Sequence, residues 1–208
     1  MQKDDACVKE RRGRGRPRAF DRDAALTAAM RLFWQKGFSA TSMSELTAAM
    51  GIGSPSLYAA FGSKEALYAE ALEHYARLNE AAAWGGFFAA TTARDAVSAL
   101  LHDSAVGLSH VANGCMVTLS SVGREGHAGL GALVAATRDA RLTRIVERIE
   151  AGQAAGEIGR AVDANSLARF VLAVQNGMSI LARDGASCEE LTGVAETALL
   201  GWDARVNA

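Results

Sequence analysis

The stretch TSMSELTAAMGIGSPSLYAAFGSKE, residues Thr41–Glu65, decides the fold. Ser42 followed by Glu45 has capping-box spacing, which predicts a short helix starting near Met43 with Leu46, Ala49 and Met50 on its buried side. Gly51 can take the left-handed conformation that ends a helix, and Ile52 can plug the corner after it. Gly53 or Ser54 can then cap a second helix that carries Pro55 in its first turn. Leu57 and Phe61 would point inward from that helix, leaving Ser54, Ser56 and Tyr58 on its outward, N-terminal side. Two short helices around such a turn form a helix-turn-helix, whose second helix can enter the major groove of DNA.

Upstream lies a basic segment. Arg11, Arg12, Arg14, Arg16 and Arg18 are interleaved with Gly13, Gly15 and Pro17, with no acidic residue among them. The segment lacks the apolar residues to fold alone and is suited to lie along phosphates or to reach into a minor groove. A solvated basic tail has the same composition; the neighbouring helix-turn-helix favours a DNA arm. The formal net charge of the whole chain is −1, so the distribution of charge, rather than its sum, points to nucleic acid.

From about Phe20 to Leu72 the chain resembles the DNA-binding domain of the TetR family of transcriptional regulators. The match is carried by Ala24 through Gly37-Phe38, by Thr41-Ser42, Glu45-Leu46, Gly51-Ile52 and Pro55-Ser56-Leu57-Tyr58, and by Phe61 and Ser63-Lys64-Glu65-Ala66-Leu67. Two positions depart from the family pattern: Gly53 stands where serine is frequent, and Ala59-Ala60 stand where a histidine or tyrosine pair is frequent. No DNA contact is therefore carried over to positions 59 and 60. For the rest, Ser54, Pro55 and Ser56 are expected to meet base edges. Thr41, Ser42, Tyr58, Lys64 and the arm residues Arg14, Arg16 and Arg18 are expected to position the duplex through its phosphates.

The remainder reads as helix. Of 208 residues half are hydrophobic, enough for a sizeable core, and the only prolines are Pro17 and Pro55. Stretches rich in Ala, Leu, Arg and Glu predict an all-α fold with helices over 22–36, 43–50, 54–60, 64–83, 93–111, 114–122, 127–153, 163–184 and 188–204. Trp84-Gly85-Gly86-Phe87-Phe88 reads as a break after the fourth. The expected organisation is a flexible basic arm (1–19), an N-terminal three-helix DNA-binding domain (20–66) and a larger helical ligand-binding and dimerisation domain (67–208). No apolar run of signal-peptide or membrane-spanning length is present, so a cytoplasmic location without membrane association is expected. Cys7, Cys115 and Cys188 form no Cys-x-x-Cys pair, and His102 and His110 lack a third ligand at a convincing spacing; neither a disulfide scaffold nor a metal or other cofactor is indicated.

Leu167, Phe170, Val171, Val174, Met178 and Leu181 form one apolar stripe at helical spacing, and Leu191, Val194, Ala195, Ala198 and Trp202 form another. Ala173 and Gly177 permit close helix approach. TetR-like proteins pair through their last two long helices, so the resemblance implies a homodimer whose twofold axis reads a palindrome. It also implies a cavity over roughly 93–153, with candidate lining from Trp84, Phe87, Phe88, Leu101, His102, Cys115, Met116, Leu119, Ser120, Phe170, Val174 and Asn176. Such a site suits a small hydrophobic or aromatic effector. The glycine-bounded segment Gly114–Ser121 is expected to move. Cys115, beside Met116 and Val117 with no flanking basic residue, reads as an inert hydrophobe. The chain holds no Gly-x-Ser-x-Gly, His-Glu-x-x-His or Walker-type loop, so no enzymatic activity is expected. The expected function is a ligand-responsive regulator, a repressor by the family's usual mode, that binds a double-stranded palindromic operator and is released by a small molecule. The alternative is an architectural DNA-binding protein without sequence preference.

Overall fold

The computed structural model describes residues 20–110 and 113–207, so the arm with Arg14, Arg16 and Arg18 lies outside the described residues. Nine helices and no strand occur among the described residues. They are α1 (Arg22–Lys36), α2 (Met43–Met50), α3 (Ser54–Phe61), α4 (Lys64–Ala89), α5 (Ala93–Ser109), α6 (Met116–Leu119), α7 (Ala128–Ala154), α8 (Ala164–Arg183) and α9 (Cys188–Val206). The fold is all-α, as composition and proline placement require.

The helix starts are fixed locally. Asp21 caps α1 by accepting from the backbone N–H groups of Asp23 and Ala24. At α2 both halves of the Ser42/Glu45 box form. The Lys36 ammonium pairs with Glu45, and together with the Ser42 donors it holds that carboxyl at about 2. The buried face of α2 is Leu46 and Met50; Ala49, expected inside, is exposed, because a helix of only two turns offers the core little more than one side. Gly53 caps α3 through its backbone alone, with Pro55 in the first turn.

Gly51 ends α2 at φ 65°, left-handed, with its N–H returned to the Ala48 and Thr47 carbonyls. A Cβ there would meet nothing within 4 Å, so Gly51→Ala incurs only the backbone penalty. The expected loss is about 1 kcal/mol, read as a fall of roughly 2–4 °C in melting temperature. An unchanged melt would mean that the turn relaxes out of the left-handed region.

Trp84–Phe88 does not break the chain: α4 runs on to Ala89. Trp84 and Phe87 are buried on one side, and Gly86 lets α5 approach so closely that a Cβ would stand 2.9 Å from that of Ala99. Packing against α5 therefore overrides the local cost of two helical glycines.

Two apolar clusters result. One gathers α1, α2, α3 and the start of α4, and includes Met116, Val117, Val122, Leu130 and Val134 from α6, α7 and the turn between them. The other joins the end of α4 to α5, α7, α8 and α9 around Trp202, Ile145, Ile149 and Met178. The helix-turn-helix core is thus continuous with the helices that surround the central cavity. No described helix is long and apolar enough to cross a membrane.

Candidate DNA-reading face and central cavity

Leu57 and Phe61 are buried and seat α3, which leaves Ser54, Pro55, Ser56 and Tyr58 exposed together at its N-terminal end, Tyr58 by half its surface. Arg22 braces the back of this helix. Its guanidinium lies 4.4 Å from the Phe61 ring centre and pairs with Glu70 of α4 at 2.7 Å, tying α1, α3 and α4 together. Ser42 is exposed, but its hydroxyl is committed to Glu45.

Thr41 is a correction. It is buried, and its hydroxyl donates to the Gly37 carbonyl at 2.7 Å, so it closes the α1–α2 turn instead of facing a phosphate. Lys64 stands at the start of α4 with its Nζ 4.3 Å from the Phe38 ring centre, and partial burial lowers its pKa.

Three links join this face to the rest of the molecule. Ser39 donates to Glu125 at 2.6 Å, the Phe38 and His127 rings meet edge to face at 4.4 Å, and Trp34 Nε1 donates to the Gly114 carbonyl at 2.9 Å. The segment Gly114–Ser121, expected to move, is also held from both sides. Ser179 accepts from the Cys115 N–H at 2.7 Å, and Arg138 donates to the carbonyls of Val117, Thr118 and Ser120.

Beneath these links lies a cavity of about 250 Å³, walled by α4, α5, α7 and α8, with Trp34, Tyr75, Trp84, Cys115, Arg141 and Gln175 among its lining. Of the lining residues expected from sequence, Trp84 and Cys115 are brought to it. The others are not, each for a visible reason. Phe88 is exposed against Arg144, and His102 Nδ1 bonds back to the Ser98 carbonyl on its own helix. The Asn176 amide oxygen is taken up by the Thr118 hydroxyl, and Leu119 lies against the Gly114 backbone. Phe170 faces outward at Gly201, and Val174 packs against the second core cluster. Phe87, Leu101 and Met116 are core residues, and the Ser120 hydroxyl pairs with Tyr68.

The Cys115 environment also differs from expectation. Burial pushes the thiol up, but the Arg141 guanidinium, 3.4 Å away, and hydrogen bonds from Thr118 outweigh it and bring the pKa from 9.0 to about 7. Burial holds the neighbouring Tyr75 hydroxyl protonated. Because the folded pKa lies below the free value, Cys115 binds fewer protons folded than unfolded between pH 7 and 9. Its contribution to stability is full above pH 9 and lost as pH falls through 7. Arg141→Met removes the cation and leaves burial, so the Cys115 thiol should titrate well above 7. Rates of alkylation by iodoacetamide against pH, in a variant whose other cysteines are serine, would show the shift; an unmoved midpoint contradicts it.

Known proteins agree with this geometry. A family model described as "Bacterial regulatory proteins, tetR family" matches residues 25–71. The HTH-type transcriptional repressor ComR of Escherichia coli (strain K12) is 36% identical over 203 residues, covering 94% of this chain and 94% of that protein. The chain belongs to the TetR family. A second repressor of that organism, BdcR, is 52% identical over 67 residues, 32% of this chain and 34% of that protein. Among solved structures, a cysteine mutant of the TetR family regulator CifR, complexed with 26-bp double-strand operator DNA, superposes with a TM-score of 0.82 at 39% identity over 89% of this chain and 98% of that one.

In this TetR-family chain the last two helices carry a different outer stripe from the one expected. Leu167, Val171, Met178, Leu191, Ala198 and Trp202 are buried within the chain, and Val174 and Val194 pack against the same core. What α8 leaves exposed is Phe170, Ile180 and Leu181, and α9 adds Gly193, Thr197, Leu200 and Ala204. The helical period holds; the inner stripe and the outer one are offset by a few residues, and packing against α5 and α7 decides between them.

Proposed function

We propose that the protein is a ligand-responsive repressor that binds a palindromic operator as a homodimer and releases it when a small molecule fills the cavity. The observation that carries this reading is Trp34. It belongs to α1 beneath the recognition helix, lines the cavity, and is hydrogen-bonded to Gly114. A molecule that packs against Trp34 or shifts Gly114 acts directly on the unit that carries α3. A difference in ligand affinity of about 3 kcal/mol between the two arrangements changes operator affinity roughly 150-fold.

In the bound state Ser54, Pro55 and Ser56 would meet base edges. Ser42, Tyr58, Lys64 and the arm residues Arg14, Arg16 and Arg18 would hold phosphates. The exposed α8–α9 stripe with Phe170, Ile180 and Leu200 would close the dimer, with the small residues Ala173 and Gly177 at the crossing. The proposed division is the arm (1–19), the DNA reader (20–66) and the effector and dimer unit (67–208), acting in the cytoplasm where the operator is. The operator in the CifR complex and the repressor activity named for ComR support DNA binding and its sign. Deleting the gene in cells that carry a reporter behind the bound operator should raise reporter transcription. A fall would make the protein an activator.

A further inference from the structure

The charged groups of the cavity do not cancel. Arg144 pairs with Glu80 at 3.1 Å, whereas Arg77, 3.2 Å from the Nδ1 of His74, stands in no ion pair among the described residues. Arg141, from α7, has no carboxylate partner among the described residues; its Nη1 finds only the Cys115 sulfur at 3.4 Å. The Cys115 sulfur engages one nitrogen of this guanidinium, and a planar carboxylate fits the rest of its fork in two parallel hydrogen bonds.

The neighbouring wall presents acceptors. Gln175, from α8, donates its amide N–H to the Ser104 hydroxyl at 2.9 Å, which leaves its Oε1 buried without a donor. Turning the amide over would pair Oε1 with the Ser104 hydroxyl and leave the amide N–H group unpaired, a donor in place of an acceptor. Asp103, next to Ser104 on α5, lines the same cavity, and no ion pair holds it among the described residues. Gln175 lies one helical turn before Ser179, which fixes the Cys115 backbone. Gln175 from α8, Asp103 from α5 and Arg141 from α7 all belong to the lining of this one cavity. Trp34, Tyr75 and Trp84 supply aromatic surface in the same cavity.

We propose that the effector is a small aromatic acid carrying a hydroxyl, its carboxylate on Arg141, its hydroxyl on Gln175 and Asp103, and its ring among the tryptophans and Tyr75. This rests on the effector reading above and names its chemical class.

The test uses the full chain, with intrinsic tryptophan fluorescence as readout and 4-hydroxycinnamate, its methyl ester, cinnamate and neutral naphthalene as probes. The hydroxy acid should bind saturably and release operator DNA, at least tenfold more tightly than the ester or cinnamate. Arg141→Met should erase the advantage of the acid over the ester, with a thermal melt reporting that the variant is folded. Arg141→Lys should restore part of it. If the ester equals the acid, or Arg141→Met leaves the acid's advantage intact, the proposal is overturned and the cavity still stands as an effector site. Binding of naphthalene and none of the acids overturns it in the same way, whereas failure of every probe overturns the effector reading as well.

Discussion

Ile180→Glu is expected to turn the protein into a folded monomer and to lower its operator affinity about 1000-fold. Ile180 is half exposed on α8, between Gly177 and Leu181. Glutamate is a good helix former, so the folded monomer should lose no more than about 0.5 kcal/mol. In a twofold dimer the substitution appears twice across one axis. Two like charges are then desolvated face to face, at a cost of several kcal/mol, and each factor of ten in the dimerisation constant takes only about 1.4 kcal/mol. A lone recognition helix keeps its phosphate attraction and loses the second half-site, so binding falls toward the nonspecific level. Light scattering and operator titration check both parts. A variant that stays dimeric places the interface elsewhere.

The second large effect separates two adjacent residues of α3. Leu57 is fully buried beneath the recognition helix, and Leu57→Ala leaves a cavity between α3, α2 and α4. The expected loss is about 3 kcal/mol, or roughly 10 °C in melting temperature, and operator binding should fail with the seating of α3. Ser56, one residue earlier, is exposed at the outer face of the same helix. Ser56→Ala should leave the melt unchanged within about 0.5 kcal/mol and reduce discrimination between operator and altered operator by about 1–3 kcal/mol. Thermal melts and paired titrations on two operators read the contrast. A Ser56→Ala protein that melts early, or a Leu57→Ala protein that does not, reverses the two faces of α3.

The residues that can be read in the sequence are those whose partners lie within a turn or two. Ser42 and Glu45 name their own cap, Gly51 names its own turn, and α2 begins and ends where these signals put it. Thr41 escapes such a reading because its hydroxyl turns back to Gly37, a choice that depends on the shape of the closed α1–α2 corner. The Gly85-Gly86 pair carries a local breaker signal, and only the approach of α5 shows that the missing side chain of Gly86 serves packing.

The cavity is least legible. Cys115 and Arg141 are 26 residues apart, and Trp34 reaches the carbonyl of Gly114 across 80. A basic residue that sets a thiol's ionisation from another helix leaves no trace in the residues flanking the cysteine. The tail helices lie between these cases: their helical period is plain in the sequence, but the choice of inner face belongs to the tertiary structure.

The most direct measurement is selection of genomic fragments, including the DNA that flanks the protein's own gene, by the purified full chain at roughly 0.15 M salt, where nonspecific phosphate attraction is screened. A ligand-responsive dimeric repressor enriches one inverted repeat whose half-sites are spaced for two successive major grooves. Salt-sensitive retention of every fragment alike would contradict that account and leave an architectural DNA-binding protein in its place.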